Sequence, residues 1–199
     1  MSTQAVQPPR PAIWRARLDR LVHFDPTRMS RKDRARWRSA VSMADLGELV
    51  IAWLHGEVVQ TPGHCGPPDD ETYPLIPDLE VINRGGFITD NSQLAETEGG
   101  YAWNTWVSGF ADDATLKRLR RAVKGTPLTL EACRGKTHGC YRKWWHLPRC
   151  PRNECTDFWA DKCPKAAAAL WETWWVHIED PEPGRNDLLW PALTTALKR

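Results

Sequence analysis

The chain has 199 residues, of which 41% are hydrophobic and 26% are charged, with a formal net charge of +2 and a mean hydropathy of −0.55. This length suits one domain, or one domain with an arm, and excludes a large barrel enzyme joined to a regulatory module. No apolar run is long enough to cross a bilayer, and the N-terminal prolines interrupt any secretory signal. We therefore predict a cytoplasmic protein that does not bind membranes, with its six cysteines reduced.

The N-terminal part of the chain is strongly basic. Residues 1–13 are polar and rich in proline, a composition that predicts disorder. Ten basic and three acidic residues lie between Arg10 and Arg38, which gives this segment a net charge of +7. Such an arm can bind nucleic acid through its phosphates, and a solvated charged surface explains the same pattern. Because Met29 lies within the segment, we predict an arm over residues 1–28 and a domain over residues 29–199.

The later elements alternate between helices and strands without a regular period. Ser42 opens a helix that Gly56 closes, and a loop follows over residues 58–70. The patterns further along predict an aromatic strand over Tyr101–Phe110, a helix capped by Asp113, a strand around Leu130, a helical segment over 156–171, a strand over 174–180 and a last helix capped by Asn186 or Asp187. We therefore predict an α+β fold, in which a mixed or antiparallel sheet core with peripheral helices forms a single domain with a basic, partly disordered N-terminal arm.

The stretch Glu71–Gln93 predicts a helix, a glycine stop and a strand. Apolar residues recur with helical spacing, and Pro74 and Pro77 are tolerated only in the first turn of that helix. The pair Gly85-Gly86 ends it. Polar side chains gather at both ends of this unit, namely Glu71, Thr72, Thr89, Asn91, Ser92 and Gln93. A ligand pocket and ordinary capping and turn chemistry both account for this density.

Nine residues of this stretch share their spacing with a known motif: Glu71, Thr72, Asn83, Arg84, Gly86, Thr89, Asn91, Ser92 and Gln93. The motif combines Glu-Thr, a helix that ends in Asn-Arg-x-Gly, and a strand with Thr-x-Asn-Ser-Gln. On these residues the chain resembles the C-terminal regulatory domain of eukaryotic methylenetetrahydrofolate reductase, which binds S-adenosylmethionine. The resemblance extends from about Trp37 to Lys198, and the chain also resembles an uncharacterised bacterial family with the same motif. Asp90 departs from the pattern because it replaces an apolar residue.

The resemblance implies a module that binds S-adenosylmethionine or a related adenosyl compound and has no turnover of its own. In the reductase domain, the Glu-Thr pair and the serine of Asn-Ser-Gln contact the ligand, which assigns that role to Glu71, Thr72 and Ser92. Thr89 lies in the same motif, and Thr137 stands close to another ligand-binding threonine of the family. These 199 residues do not include the catalytic barrel of the reductase, so we expect no regulation of a reductase in cis.

A segment rich in cysteine and histidine supports a second hypothesis. One tetrahedral zinc ion needs four such ligands, and the candidates are Cys133, His138, Cys140, Cys150 and Cys155. Buried thiols and solvent-facing histidines explain the same residues. The corresponding function is a zinc-stabilised protein that associates with nucleic acid through its basic arm, residues 10–38.

A third hypothesis is an enzyme that acts on an adenosyl compound. The pair His64-Cys65 is a candidate nucleophile, and an ordinary loop is the competing interpretation. No other nucleophile or acid–base pair stands out in the sequence, so we assign no catalytic residue.

Overall fold

The computed structural model describes residues 29–98, 101–134 and 154–198. These ranges contain seven α-helices, which are α1 Arg31–Ser39, α2 Met43–Leu54, α3 Ile76–Arg84, α4 Asp113–Val123, α5 Glu154–Lys162, α6 Ala167–Trp171 and α7 Leu189–Leu197. The strands of the same ranges are β1 Ile88–Gln93, β2 Thr97–Glu98, β3 Tyr101–Ala102, β4 Trp106–Ala111, β5 Thr129–Cys133 and β6 Trp174–Glu179. A 3-10 helix over Asp70–Leu75 leads directly into α3. The predicted arm over residues 1–28 lies outside the described ranges.

Four of the strands form one antiparallel sheet in the order β1-β4-β6-β5. Strands β2 and β3 pair with each other in a small second sheet. Helices and an antiparallel sheet share one core, which confirms the predicted α+β single domain. Among the described residues, no helix combines the length and the apolar character that a membrane span requires.

Helices cover both faces of the main sheet. Helix α7 packs against both α3 and α4 on one face, where the Trp174 indole of β6 donates to the Asp113 carboxylate of α4 over 2.6 Å. On the other face, the ring of Trp159 from α5 packs against that of Phe110 from β4, with 5.4 Å between the centroids. The core therefore has two layers of apolar side chains with the sheet between them.

Helix α1 contributes to this core. The Ser30 hydroxyl caps the helix by accepting from the Asp33 amide over 3.0 Å. The side chain of Trp37 is fully buried, and its ring packs edge-on against Trp159 at a centroid distance of 5.6 Å. The basic segment that begins at Arg10 in the sequence therefore ends in a helix that packs an indole into the domain.

The predicted start of the helix near Glu71 is wrong by one turn. Residues 70–75 form a 3-10 helix that contains Pro74, and α3 begins at Ile76 with Pro77 in its first turn. Proline lacks an amide hydrogen, so it fits where the amides have no acceptor within the helix. By contrast, the predicted capping signal at Ser42 is confirmed, because its hydroxyl and the Asp45 carboxylate accept from each other's amides.

Two further predictions are wrong for reasons of tertiary contact. The predicted aromatic strand over Tyr101–Phe110 is interrupted after Ala102 and resumes at Trp106. In the interruption, the Thr105 hydroxyl donates a hydrogen bond of 2.9 Å to the Gln93 carbonyl. The last helix has no side-chain cap, because Asn186 instead exchanges two hydrogen bonds of 2.8 Å with the backbone of Ala95.

The predicted cap of α4 is off by one residue. Asp112 precedes the helix, and its carboxylate accepts from the Thr115 amide over 2.7 Å. Asp113 is the first residue of the helix, where its side chain is free to bind Trp174. Two consecutive aspartates make the cap position ambiguous in the sequence, and the backbone geometry decides between them.

Candidate functional site

A β-bulge in β1 decides which polar side chains of the motif share a face. Thr89 pairs with Gly109, and Ser92 pairs with Val107. The register shifts between Thr89 and Asn91, so Asp90 is the extra residue of the bulge and has no partner in this register on β4. Residues opposite each other in a ladder point to the same face, and Gly109 and Val107 are two apart on β4. Thr89 and Ser92 therefore point to the same face, although strict alternation along β1 would have separated them.

The turn that carries Glu71 and Thr72 packs against this strand. Glu71 is half-buried, and burial raises the pKa of its carboxyl group. The carboxylates of Glu96, which follows β1, and of Asp69 raise this pKa further. The end of β1 and the 3-10 helix thus share one negatively charged environment.

The four described residues of the predicted ligand site differ in exposure. Glu71 and Ser92 are partly exposed, whereas Thr72 and Thr89 are buried. The Thr89 hydroxyl accepts from the Asn83 amide group over 2.9 Å, and the Thr89 backbone amide donates to the Asn83 side-chain oxygen over 3.0 Å. Glu71 and Ser92 are therefore the members of this set that present surface to a ligand.

The Asn-Arg-x-Gly part of the motif joins α3 to β1. Asn83 is buried, and its amide group donates to the carbonyl of Leu79 as well as to Thr89. Gly86 adopts a φ of +97°, which favours glycine. A Cβ at Gly85 would come within 2.7 Å of the Leu197 carbonyl oxygen in α7. The fold alone therefore accounts for these residues.

Asp90 at the bulge is partly exposed as a residue, but its carboxyl group is desolvated. Its Oδ1 accepts from the Trp159 indole over 2.8 Å. A Cβ at Gly63 would collide with the same oxygen, so the glycine provides the space that this carboxyl group fills. Burial raises the pKa of Asp90, and the hydrogen bond from Trp159 lowers it in part. The sequence marked Asp90 as a departure from the motif without indicating its burial.

A further cluster, which was not predicted from the sequence, lies on the opposite face of the sheet. The imidazole of His177 contacts the rings of Trp106 and Trp175, at centroid distances of 5.4 and 6.0 Å. Burial lowers the pKa of His177, and the carboxylates of Glu179 and Glu131 act against this shift. The residues of this cluster come from three strands that are distant in the sequence. The sequence indicates only that Trp175 and His177, two residues apart in β6, point to the same face.

Most of the predicted zinc ligands lie outside the described residues. These are His138, Cys140, Cys150 and the side chain of Cys155, and Thr137 of the predicted ligand site lies there too. Cys133 is at the end of β5 and is partly buried. Within residues 29–98, 101–134 and 154–198, no group of three or more His, Cys, Asp or Glu residues could hold a metal ion. Zinc binding stays a prediction.

Trp53 contacts the loop that contains His64 and Cys65. Nε2 of His64 donates to the Pro67 carbonyl over 3.1 Å, and the imidazole lies beside the Trp53 ring at a centroid distance of 5.4 Å. The Trp53 indole in turn donates to the carbonyl of Gly66 over 2.8 Å. Cys65 is exposed. These contacts give His64 a role in anchoring the loop.

Comparison with models of protein families gives a match. A family profile described as a domain of unknown function (DUF6919) matches residues 32–140, a range that includes the 3-10 helix, α3 and β1 and ends before α5. No curated protein matches the chain. Because the matched range covers more than half of the 199 residues, the chain belongs to this family of unknown function.

Proposed function

We propose that the protein is a small-ligand-binding module for S-adenosylmethionine or a related adenosyl compound, without turnover of its own. The assignment of Glu71, Thr72 and Ser92 to the ligand comes from the resemblance to the reductase's regulatory domain. One structural observation carries the proposal furthest: the 3-10 helix with Glu71 packs against β1, the strand that ends just after Ser92. This packing supports the proposal that residues from both ends of the motif contact one ligand.

The electrostatics of this region favour a ligand with a positive charge. The carboxyl group of Glu71 is partly desolvated and experiences the negative charges of Glu96 and Asp69. A sulfonium or ammonium group placed beside Glu71 would relieve this repulsion and lower the pKa of the carboxyl group. A carboxylate can also accept hydrogen bonds from both ribose hydroxyls, and the Ser92 hydroxyl can donate to a ligand carboxylate.

The experiment compares two ligands that differ in charge at sulfur. Isothermal titration calorimetry and native mass spectrometry of the full chain would measure binding of S-adenosylmethionine and of its neutral thioether analogue, S-adenosylhomocysteine. We expect the sulfonium compound to bind more tightly. Glu71→Gln removes the charge and keeps the shape of the side chain, so binding should weaken about ten- to hundredfold, as expected for loss of one charge-assisted contact of roughly 1.5–3 kcal/mol.

Glu57→Gln is the matched control, since it makes the same charge change at an exposed carboxylate. Absence of binding to the wild-type protein at up to about 1 mM ligand, or equal weakening by the two variants, would contradict the proposal. The same mass spectra test the zinc hypothesis, which expects about one zinc ion per chain.

A further inference from the structure

A cleft of about 780 Å³ lies at the C-terminal end of α3, whereas the 3-10 helix with Glu71 lies at the other end of that helix. The first turns of α2 and α4, the corner after α3 and the end of α7 form its walls. Its volume is within the usual range of small-molecule sites, which is roughly 300–1,000 Å³. The four described residues predicted to bind the adenosyl ligand are not among those that line this cleft.

Arg118 is the central charged group of the cleft. Its Nη2 donates to the Gly85 carbonyl and to the Thr115 hydroxyl, the latter over 3.2 Å. Both acceptors are neutral, and in the described part of the chain the guanidinium contacts no carboxylate. A guanidinium has five N–H donors in a planar fork, so two bonds from one nitrogen leave Nε and Nη1 for another molecule. The contacts therefore hold the orientation of Arg118 and leave its charge unbalanced.

The other charged groups around the cleft are Arg84, Lys198, Glu48 and Asp112. Arg84 pairs with Glu80 at 3.0 Å and with Glu48 at 3.7 Å, so its charge is balanced by neighbours. Lys198 is exposed and adds a positive charge, whereas Asp112 caps α4 and adds a negative one. The first amides of α2 and α4 have no acceptor within their helices and increase the positive potential.

We infer that this cleft binds a small oxyanion, the carboxylate or phosphate group of a metabolite, through the guanidinium of Arg118. The planar fork of arginine matches the spacing of two oxygens in either group. The Asp112 carboxylate opposes the ligand charge, which favours a monoanion over a dianion. This site is separate from the one proposed for the adenosyl ligand, and neither proposal depends on the other.

The probes are inorganic phosphate and acetate, titrated separately into the full chain at constant ionic strength and followed by amide chemical shifts in NMR. We expect saturable shifts at Gly86 and Ala114, and a preference for one probe identifies the group that the site binds. Arg118→Gln should weaken binding about tenfold or more, as expected for loss of a charge-assisted bidentate contact. Lys117→Gln makes the same charge change on the same helix outside the cleft and should leave binding unchanged.

Two further variants separate binding from folding, because Arg118→Gln also removes the contacts to Gly85 and Thr115. Ala114→Phe should block the cleft from an exposed position while keeping Arg118 in place. Asp112→Asn keeps a good helix cap and removes the opposing charge, so it should strengthen binding. Binding that survives both Arg118→Gln and Ala114→Phe overturns the proposal. Equal weakening by Lys117→Gln, or no saturable binding of either anion, overturns it as well.

Discussion

The Asp90 carboxyl group occupies space that Gly63 leaves open, and its orientation is held by the Trp159 indole. Its pKa is raised because burial penalises the charged form more than this hydrogen bond favours it. The native state therefore retains the proton at a higher pH than the unfolded chain, whose reference pKa is 3.8. Stability consequently falls as the pH rises from that value through the raised native pKa.

We predict that Asp90→Asn raises the midpoint of thermal unfolding at pH 7. Asparagine keeps an oxygen that accepts from Trp159 and removes the buried charge. The difference from the wild-type protein should shrink towards pH 4, because the raised pKa lets the native carboxyl group take up its proton as the pH falls. Thermal unfolding of both proteins at the two pH values measures this effect, with the exposed Asp161→Asn as control. A variant that is less stable than the wild type at pH 7 would refute the assignment of Asp90 as a buried charge.

At the scale of elements, the junction between α3 and β1 depends on hydrogen bonds and close packing. The side chain of Asn83 bonds to the backbone and the hydroxyl of Thr89 and to the carbonyl of Leu79. Next to this junction, Gly109 of β4 allows the bulged strand to approach closely, since a Cβ there would collide with the Ile88 carbonyl. The position of Ser92 relative to Glu71 therefore depends on Asn83 and Gly109, neither of which is predicted to contact the adenosyl ligand.

We predict that Asn83→Ala lowers the free energy of unfolding by about 2–4 kcal/mol, because it leaves the buried Thr89 amide and hydroxyl without their partner. Chemical denaturation of the purified variant measures this loss. Asn91→Ala is the control, since Asn91 is exposed and its side chain accepts only from the adjacent Ser92 amide. The control should change stability by no more than about 0.5 kcal/mol. Equal effects of the two substitutions would show that Asn83 does not hold the junction.

At the scale of the whole molecule, the described core begins with α1. Trp37 is fully buried against Trp159, and its indole donates to the Gln60 carbonyl over 2.9 Å. Helix α1 thus connects the loop before the 3-10 helix with α5, although these segments are far apart in the sequence. At the opposite end of the chain, Trp190 of α7 is buried and donates to the Thr105 hydroxyl over 3.1 Å. Both ends of the described chain are therefore part of the core.

We predict that a chain shortened to residues 29–199 unfolds at the same temperature as the full chain, whereas a chain of residues 40–199 does not fold stably. The second truncation removes Trp37, and loss of a buried tryptophan side chain costs about 3–5 kcal/mol, a large part of a typical stability of about 5–15 kcal/mol. Circular dichroism on heating measures both outcomes. A cooperative transition of residues 40–199 at the full-length midpoint would contradict the predicted domain boundary.

Local signals in the sequence predicted much of the fold. Periodic apolar residues indicated α2, α3 and α4, because a helix that packs on a core needs one apolar face. Ser42 and Gly86 marked a helix start and a helix end through cap chemistry that involves only neighbouring residues. The absence of a regular strand–helix–strand period predicted the α+β class, and the sheet is antiparallel as expected.

Candidate ligand residues could be named from the sequence, but their surroundings could not. The resemblance singled out Glu71 and Ser92. Asp69 is close to Glu71 in the sequence, whereas the sequence contains no signal that Glu96 adds to the same acidic environment. It also contains no signal for the burial of Thr72 and Thr89. The cleft around Arg118 is built from four helix ends that are distant along the chain. No spacing rule connects such residues, so this candidate site emerged from the structure alone.

The sequence by itself determined where most helices and strands form, because periodicity, capping and glycine stops act over a few residues. Only the tertiary structure decided that β1 contains a bulge at Asp90, that Trp37 belongs to the core and that Arg118 faces a cleft. These features depend on contacts between segments brought together by folding, and their energies come from packing and desolvation. Neither effect has a signature in the local pattern of residues.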